Sequence, residues 1–144
     1  MNALSGRCLC GAVQFEATPE KAEMGVCHCS MCRRWSGGAW FGVDCGRNVK
    51  VADEAQLGVY KSSNWGERCF CKTCGATLFW RLQSGDHHVV SVNAFDDPGH
   101  FAFVSEIYID EQPRTYAFSN QTKRMTGAEF LAAFMASQGG GGDG

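Results

Sequence analysis

Nine cysteines stand in this sequence of 144 residues, and eight of them fall into short clusters. Cys8-Leu9-Cys10 is a C-x-C pair, while Cys27-His28-Cys29-Ser30-Met31-Cys32 and Cys69-Phe70-Cys71-Lys72-Thr73-Cys74 repeat the pattern C-x-C-x-x-C. Cysteines this close do not easily pair with one another, but their sulfurs converge well on one ion. The odd count and the lack of an apolar leader in Met1–Arg7 also favour metal over a disulfide framework. The expected compartment is therefore the cytoplasm.

Zinc takes four thiolates tetrahedrally in structural sites, and catalytic sites keep one position open. On a strand, Cys8 and Cys10 would point to the same side. Cys71-Lys72-Thr73-Cys74-Gly75 reads as a zinc knuckle, with Gly75 taking the positive φ of the turn. Cys8, Cys10, Cys71 and Cys74 thus make the simplest structural zinc site, clamping segments over 60 residues apart in sequence. A thiol-redox role for the C-x-x-C is the rival reading.

Cys27, Cys29 and Cys32 supply three thiolates within six residues and leave a fourth position for water or substrate. An ion held there could bind a substrate thiol and lower its pKa. Arg33 and Arg34 follow at once and could hold the carboxylates of an anionic thiol; as solvated surface arginines they would do nothing. Cys69 keeps an alternative open, because as a fourth ligand it would close the second site and make it structural. His28, between two ligands, would point away from their metal on a strand and reads as packed or exposed, or less simply as a proton carrier. His87 and His88 flank the turn Ser84–Asp86 and read as exposed, and Cys45 has no cluster partner.

The elements that must carry these residues read as mainly β. Val13, Phe15 and Ala17 alternate with Gln14 and Glu16, and similar runs occur at 57–60, 76–81, 89–95 and 106–109. Gly37-Gly38, Ser84-Gly85-Asp86 and Asp96-Asp97-Pro98-Gly99 punctuate them as turns. One C-terminal helix is expected: Thr126 and Glu129 form a capping box, and Phe130, Leu131, Phe134 and Met135 share a face. A single zinc-binding domain over residues 1–138 is predicted, followed by a flexible glycine-rich tail at 139–144. The net charge of −2, without basic runs, argues against nucleic acid, and no apolar stretch approaches the roughly 20 residues of a membrane helix.

Three stretches resemble the glutathione-dependent formaldehyde-activating enzyme family, which includes centromere protein V. They are Gly6-Arg7-Cys8-Leu9-Cys10-Gly11-Ala12-Val13, Cys27–Arg34 and Arg68-Cys69-Phe70-Cys71-Lys72-Thr73-Cys74-Gly75. The segment around Asp96-Asp97-Pro98 is also similar, so the likeness covers about residues 5–118. It implies a zinc-supported β-sheet fold like that of Rab-exchange accessory factors and B-type methionine sulfoxide reductases. It implies two zinc ions: a structural one on Cys8, Cys10, Cys71 and Cys74, and a catalytic one on Cys27, Cys29 and Cys32. The reaction it implies joins glutathione to formaldehyde as S-hydroxymethylglutathione, a carbon–sulfur lyase chemistry with small-molecule partners. The chain departs from the family at Glu106, where relatives often carry histidine, and near Thr115, where they often carry tryptophan. A thiol-binding carrier without turnover, or a structural zinc domain closed by Cys69, are the other readings.

Overall fold

A computed structural model describes residues 2–137, so the expected tail at 139–144 lies outside the described residues. The chain forms two compact units, residues 2–24 with 42–102 and residues 25–41 with 103–137. It passes between them inside three strands, β3 (Glu23–Cys27), β4 (Trp40–Gly46) and β10 (Ala102–Ile107).

The first unit is built from strands alone, apart from short 3-10 turns. Strand β1 (Leu4–Arg7) pairs antiparallel with β2 (Gln14–Ala17), and β2 with β5 (Val49–Val51). The alternation read from the sequence holds here: in β2, Phe15 and Ala17 are buried while Gln14 and Glu16 face solvent. Phe15 meets the edge of Phe95 at 5.6 Å between ring centres, and Gly6 opposite it has no side chain to block the ring. A second antiparallel set runs in the order β4, β9 (His88–Ser91), β8 (Thr77–Leu82), β7 (Gly66–Cys71), β6 (Leu57–Tyr60). Its interior rests on Val43, Phe79 and Val90, which are fully buried, and in the ladder Phe79 lies opposite both Cys69 and Val90. Burial of a ring such as Phe79 contributes about 2–3 kcal/mol.

The strand expected over 89–95 is shorter, because the chain leaves β9 at Ser91 and turns through a 3-10 segment, Val92–Ala94. His88 is buried at the start of β9 with Nδ1 2.8 Å from the Gly46 carbonyl, and His87 is only half-buried, so neither is the exposed residue expected of a turn flank.

The second unit holds β3 from Gly25, β10 (Ala102–Ile107) from Phe103 and β11 (Lys123–Met125), in the order β11-β10-β3. Strands β10 and β11 run parallel, with Glu106 opposite Arg124. The expected C-terminal helix is α2 (Gly127–Ser137); its capping box is formed, the Glu129 carboxylate accepting from the Thr126 N–H at 2.8 Å and the Thr126 hydroxyl from the Glu129 N–H at 3.1 Å. A second helix that the sequence pattern did not reveal, α1 (Ser30–Ser36), follows β3. It ends at Gly37, whose φ of 84° lets its N–H reach back to the Arg33 carbonyl at 2.8 Å. Phe41, Phe103 and Phe118, each half-buried, pack edge-to-face with ring centres 5.1–5.8 Å apart in this unit. Among the described residues no helix is long and apolar enough to cross a membrane.

Candidate functional site

Each unit carries one group of cysteine sulfurs. In the first, the sulfurs of Cys8, Cys10, Cys71 and Cys74 all lie within 4.8 Å of one another, with Cys8–Cys10 and Cys10–Cys71 both at 3.7 Å. Four ligands about 2.3 Å from a single tetrahedral ion stand about 3.8 Å apart, so the group fits zinc. The two halves reach this geometry by different turns. Cys8 and Cys10 do not share a strand as expected; they sit on the bend after β1. The Arg7 guanidinium donates to the carbonyls of Cys8 and Leu9, both at 3.0 Å, and Gly11 takes a φ of 83°. Cys71 ends β7, and the chain turns at once through Gly75, whose φ of 76° matches the expected knuckle. The Gly75 N–H donates to the Cys71 carbonyl at 2.9 Å, and the N–H groups of Thr73 and Cys74 donate to the Cys71 sulfur at 3.3 and 3.4 Å.

Those backbone donors favour thiolates. The N–H of Ala76 leads a set of bonds that lower the Cys74 thiol to about 6. Burial opposes ionisation of Cys8, but the Val13 N–H and the thiols of Cys71 and Cys10 outweigh it and lower its pKa. Cys10 receives the Ala12 N–H, yet burial and the crowding of Cys8, Cys71 and Cys74 push it up to about 11. Four thiolates at this spacing need a cation among them.

In the second unit the sulfurs of Cys27, Cys29 and Cys32 also lie within 4.8 Å of one another. Cys27 ends β3, Cys29 is the N-cap of α1, and Cys32 lies buried in the first turn of that helix. The Cys29 sulfur accepts the Cys32 N–H at 3.4 Å, the bond a serine or aspartate usually accepts at this place. Cys29, Cys32 and burial together push the Cys27 thiol far up, so here too a cation is what would allow three thiolates. No fourth Cys, His, Asp or Glu among the described residues joins this group. Cys69, the candidate fourth ligand, stands in neither group; it is fully buried in β7, where burial pushes it up to about 12 against the pull of Arg81. Cys45 is likewise buried outside both groups.

The surroundings of the three-cysteine group include residues that the sequence reading did not select. Burial, Cys29 and Cys27 raise the Tyr108 phenol above its ordinary value. Burial also raises Tyr116, with Arg33 opposing and Cys27 and Glu106 adding to the shift. Arg33 is half-buried and spends its Nε–H on the His28 carbonyl at 2.9 Å, whereas Arg34 is exposed. His28 is packed, as one of the readings had it, and lies just past β3, not on it.

With both groups placed, the comparisons with known proteins can be read against them. The family model described as glutathione-dependent formaldehyde-activating enzyme matches residues 3–111, which contain all seven clustered ligand candidates. The chain belongs to this family. A protein of Schizosaccharomyces pombe named an uncharacterized lyase is 30% identical over 136 residues, covering 94% of this chain and 99% of its own length. Among solved structures, a crystal structure of a Rhodobacter sphaeroides protein matches with a TM-score of 0.57 at 25% identity, over 70% of this chain and 100% of that one. Family and fold thus agree with the mainly β, cysteine-clustered architecture expected from the sequence.

Proposed function

We propose that the protein is a zinc-dependent carbon–sulfur lyase that joins a thiol such as glutathione to formaldehyde or a related small electrophile. The observation that carries this reading is the group of three thiols that no fourth Cys, His, Asp or Glu among the described residues joins. Cys8, Cys10, Cys71 and Cys74 would hold a structural zinc, and Cys27, Cys29 and Cys32 a second one. Held by these three thiolates, zinc would supply a Lewis acid for a substrate sulfur.

The chain's own groups would do the rest. Arg33 and Arg34 place positive charge beside the group for the carboxylates of an anionic thiol. In the addition, sulfur bonds to the carbonyl carbon, the carbon–oxygen π bond opens, and the oxygen takes a proton from water that balances the one the thiol gave up on binding. The Tyr108 phenol, near enough to feel the charges of Cys29 and Cys27, would donate to the oxygen on which charge develops. The described residues act as one domain in this reading, because neither unit is a separate stretch of chain. The family, the nine free cysteines and the absence of a membrane helix among the described residues support a soluble enzyme of the cytoplasm.

Calorimetry of glutathione binding in buffers of different ionisation enthalpy tests the open position. A free thiol has a pKa near about 8.5, so binding as thiolate at neutral pH should release close to one proton. S-methylglutathione should bind far more weakly and release none. Proton NMR of a glutathione and formaldehyde mixture then separates enzyme from carrier: faster exchange between free and adduct forms means turnover, and saturable binding without it means carriage only.

A further inference from the structure

His28 lies between two members of the three-cysteine group and contributes no atom to it. It is fully buried, and each of its four polar groups is engaged. Its N–H donates to the Ile107 carbonyl at 3.1 Å, and its carbonyl accepts from Arg33 Nε at 2.9 Å. Its Nδ1 lies 2.8 Å from the Tyr116 hydroxyl, and its Nε2 lies 2.8 Å from Glu106 Oε1. Glu106 is fully buried as well, and it too is saturated: Thr122 donates its hydroxyl to Oε2 at 2.6 Å, and Arg124 Nη1 donates to Oε1 at 2.8 Å. Gln112 closes the ring, accepting from Arg124 Nη2 and donating to the Tyr116 carbonyl, both at 2.9 Å.

A buried carboxylate and imidazole could be replaced by apolar side chains at little cost to stability, so such a pair is poor evidence for stability alone. Its place beside ligands is better evidence of a task. Both ring nitrogens of His28 are held, Nε2 by the Glu106 carboxylate and Nδ1 by the Tyr116 hydroxyl. The ring is thereby locked in one orientation, and the backbone at His28 is pinned on both sides of it. Cys27 and Cys29 are its peptide neighbours, so their Cα positions follow.

We propose that Glu106, acting through His28, is the positioning residue that holds Cys27 and Cys29 in metal-binding geometry before an ion arrives. Carboxylates commonly orient histidines that are themselves ligands. Here the oriented ring belongs to a residue between two ligands, and it sets them through the backbone. The proposal rests on the reading of this group as a metal site and is independent of turnover.

The test uses the full chain stripped of metal and titrated with Co²⁺ against a competing chelator, followed by thiolate-to-cobalt charge-transfer and d–d bands. Wild type should take two equivalents in separable steps. Glu106→Gln should weaken one step by about 10–100-fold, change its d–d bands and leave the other step unchanged. Tyr116→Phe keeps the Glu106 contact and should weaken the same step less. In the metal-free protein, the His28 amide should exchange with solvent faster in Glu106→Gln than in wild type. Identical titrations of wild type and both variants would overturn the proposal. So would equal weakening of both steps in Tyr116→Phe, the variant whose fold is least at risk. A wild type that binds a single equivalent defeats the metal reading of the three-cysteine group itself, which is a different failure.

Discussion

The two cysteine groups are made of the same atoms and assembled in opposite ways. Cys8 and Cys10 meet Cys71 and Cys74 across more than 60 residues of sequence, joining a bend after β1 to the end of β7. Cys27, Cys29 and Cys32 come from one strand end and the helix turn that follows it. A long-range link withdraws a large loop from the unfolded ensemble, so the fold and the metal share one free energy. A local link constrains six residues, and those are already pinned by hydrogen bonds of their own. The first arrangement suits an ion that stays; the second suits one whose coordination changes.

Substitution of a single sulfur is the most severe way to break that contrast. Cys71 is fully buried, and its sulfur accepts two backbone N–H groups. Structural zinc contributes on the order of 10 kcal/mol to small domains, comparable with the whole stability of a protein. Cys71→Ser should therefore abolish cooperative unfolding in circular dichroism melts or drive aggregation, whereas Cys29→Ser should melt cooperatively within a few degrees of wild type. Equal damage from both would make both groups structural.

Chelation asks the same question without mutation. Pure protein should contain two zinc ions per chain. A moderate chelator should remove the one held by Cys27, Cys29 and Cys32 while the far-ultraviolet spectrum stays constant, and the other should leave only with the fold. A single ion per chain after zinc-replete expression, or loss of both ions together, would contradict this.

A smaller effect sharpens the comparison within the second unit. Thr126→Ala removes the hydroxyl that caps α2, which typically costs about 1 kcal/mol. If the ligand segment is built locally, both zinc ions should survive the substitution while the midpoint of urea unfolding falls. Loss of the second ion in Thr126→Ala would show that α2 supports the site.

What the sequence disclosed follows the same division. The cysteine groups were legible because ligand spacing is a local property, and so were the β2 alternation and the α2 capping box. Helix α1 was not, because its cap is Cys29, a residue outside the usual Ser, Thr, Asp and Asn set. The buried pair of His28 and Glu106 was hidden for another reason. A glutamate in a strand reads as solvent-facing unless its partners are known, and His28, Thr122 and Arg124 come from three separate segments. Cys8 and Cys10 were expected to converge from a strand, and they converge with Cys71 and Cys74 from another backbone: a bend stapled by Arg7 achieves what a strand was expected to do. Exclusion of Cys69 required the tertiary structure, since its spacing from Cys71 repeats that of Cys27 from Cys29.

The smallest expected effect contrasts two histidine–carboxylate pairs. His28 and Glu106 are fully buried, whereas His87 Nε2 lies 3.4 Å from Asp44 Oδ1 with side chains 18% and 65% exposed. Asp44 raises the His87 pKa above its ordinary 6.5, against partial burial and with help from Glu20. A raised imidazole contributes stability that is fully present below the unfolded value of 6.5 and is lost as pH rises through the folded value. Exposure of the carboxylate and screening by salt hold that contribution to a few tenths of a kcal/mol. Asp44→Asn should therefore lower urea stability slightly at pH 6 and low salt, and have no effect through this pair at pH 9. The difference should shrink at 1 M salt, since a surface pair is screened there and a buried one is not. A stability loss of the same size at both pH values would show that Asp44 acts through its strand packing and not through His87.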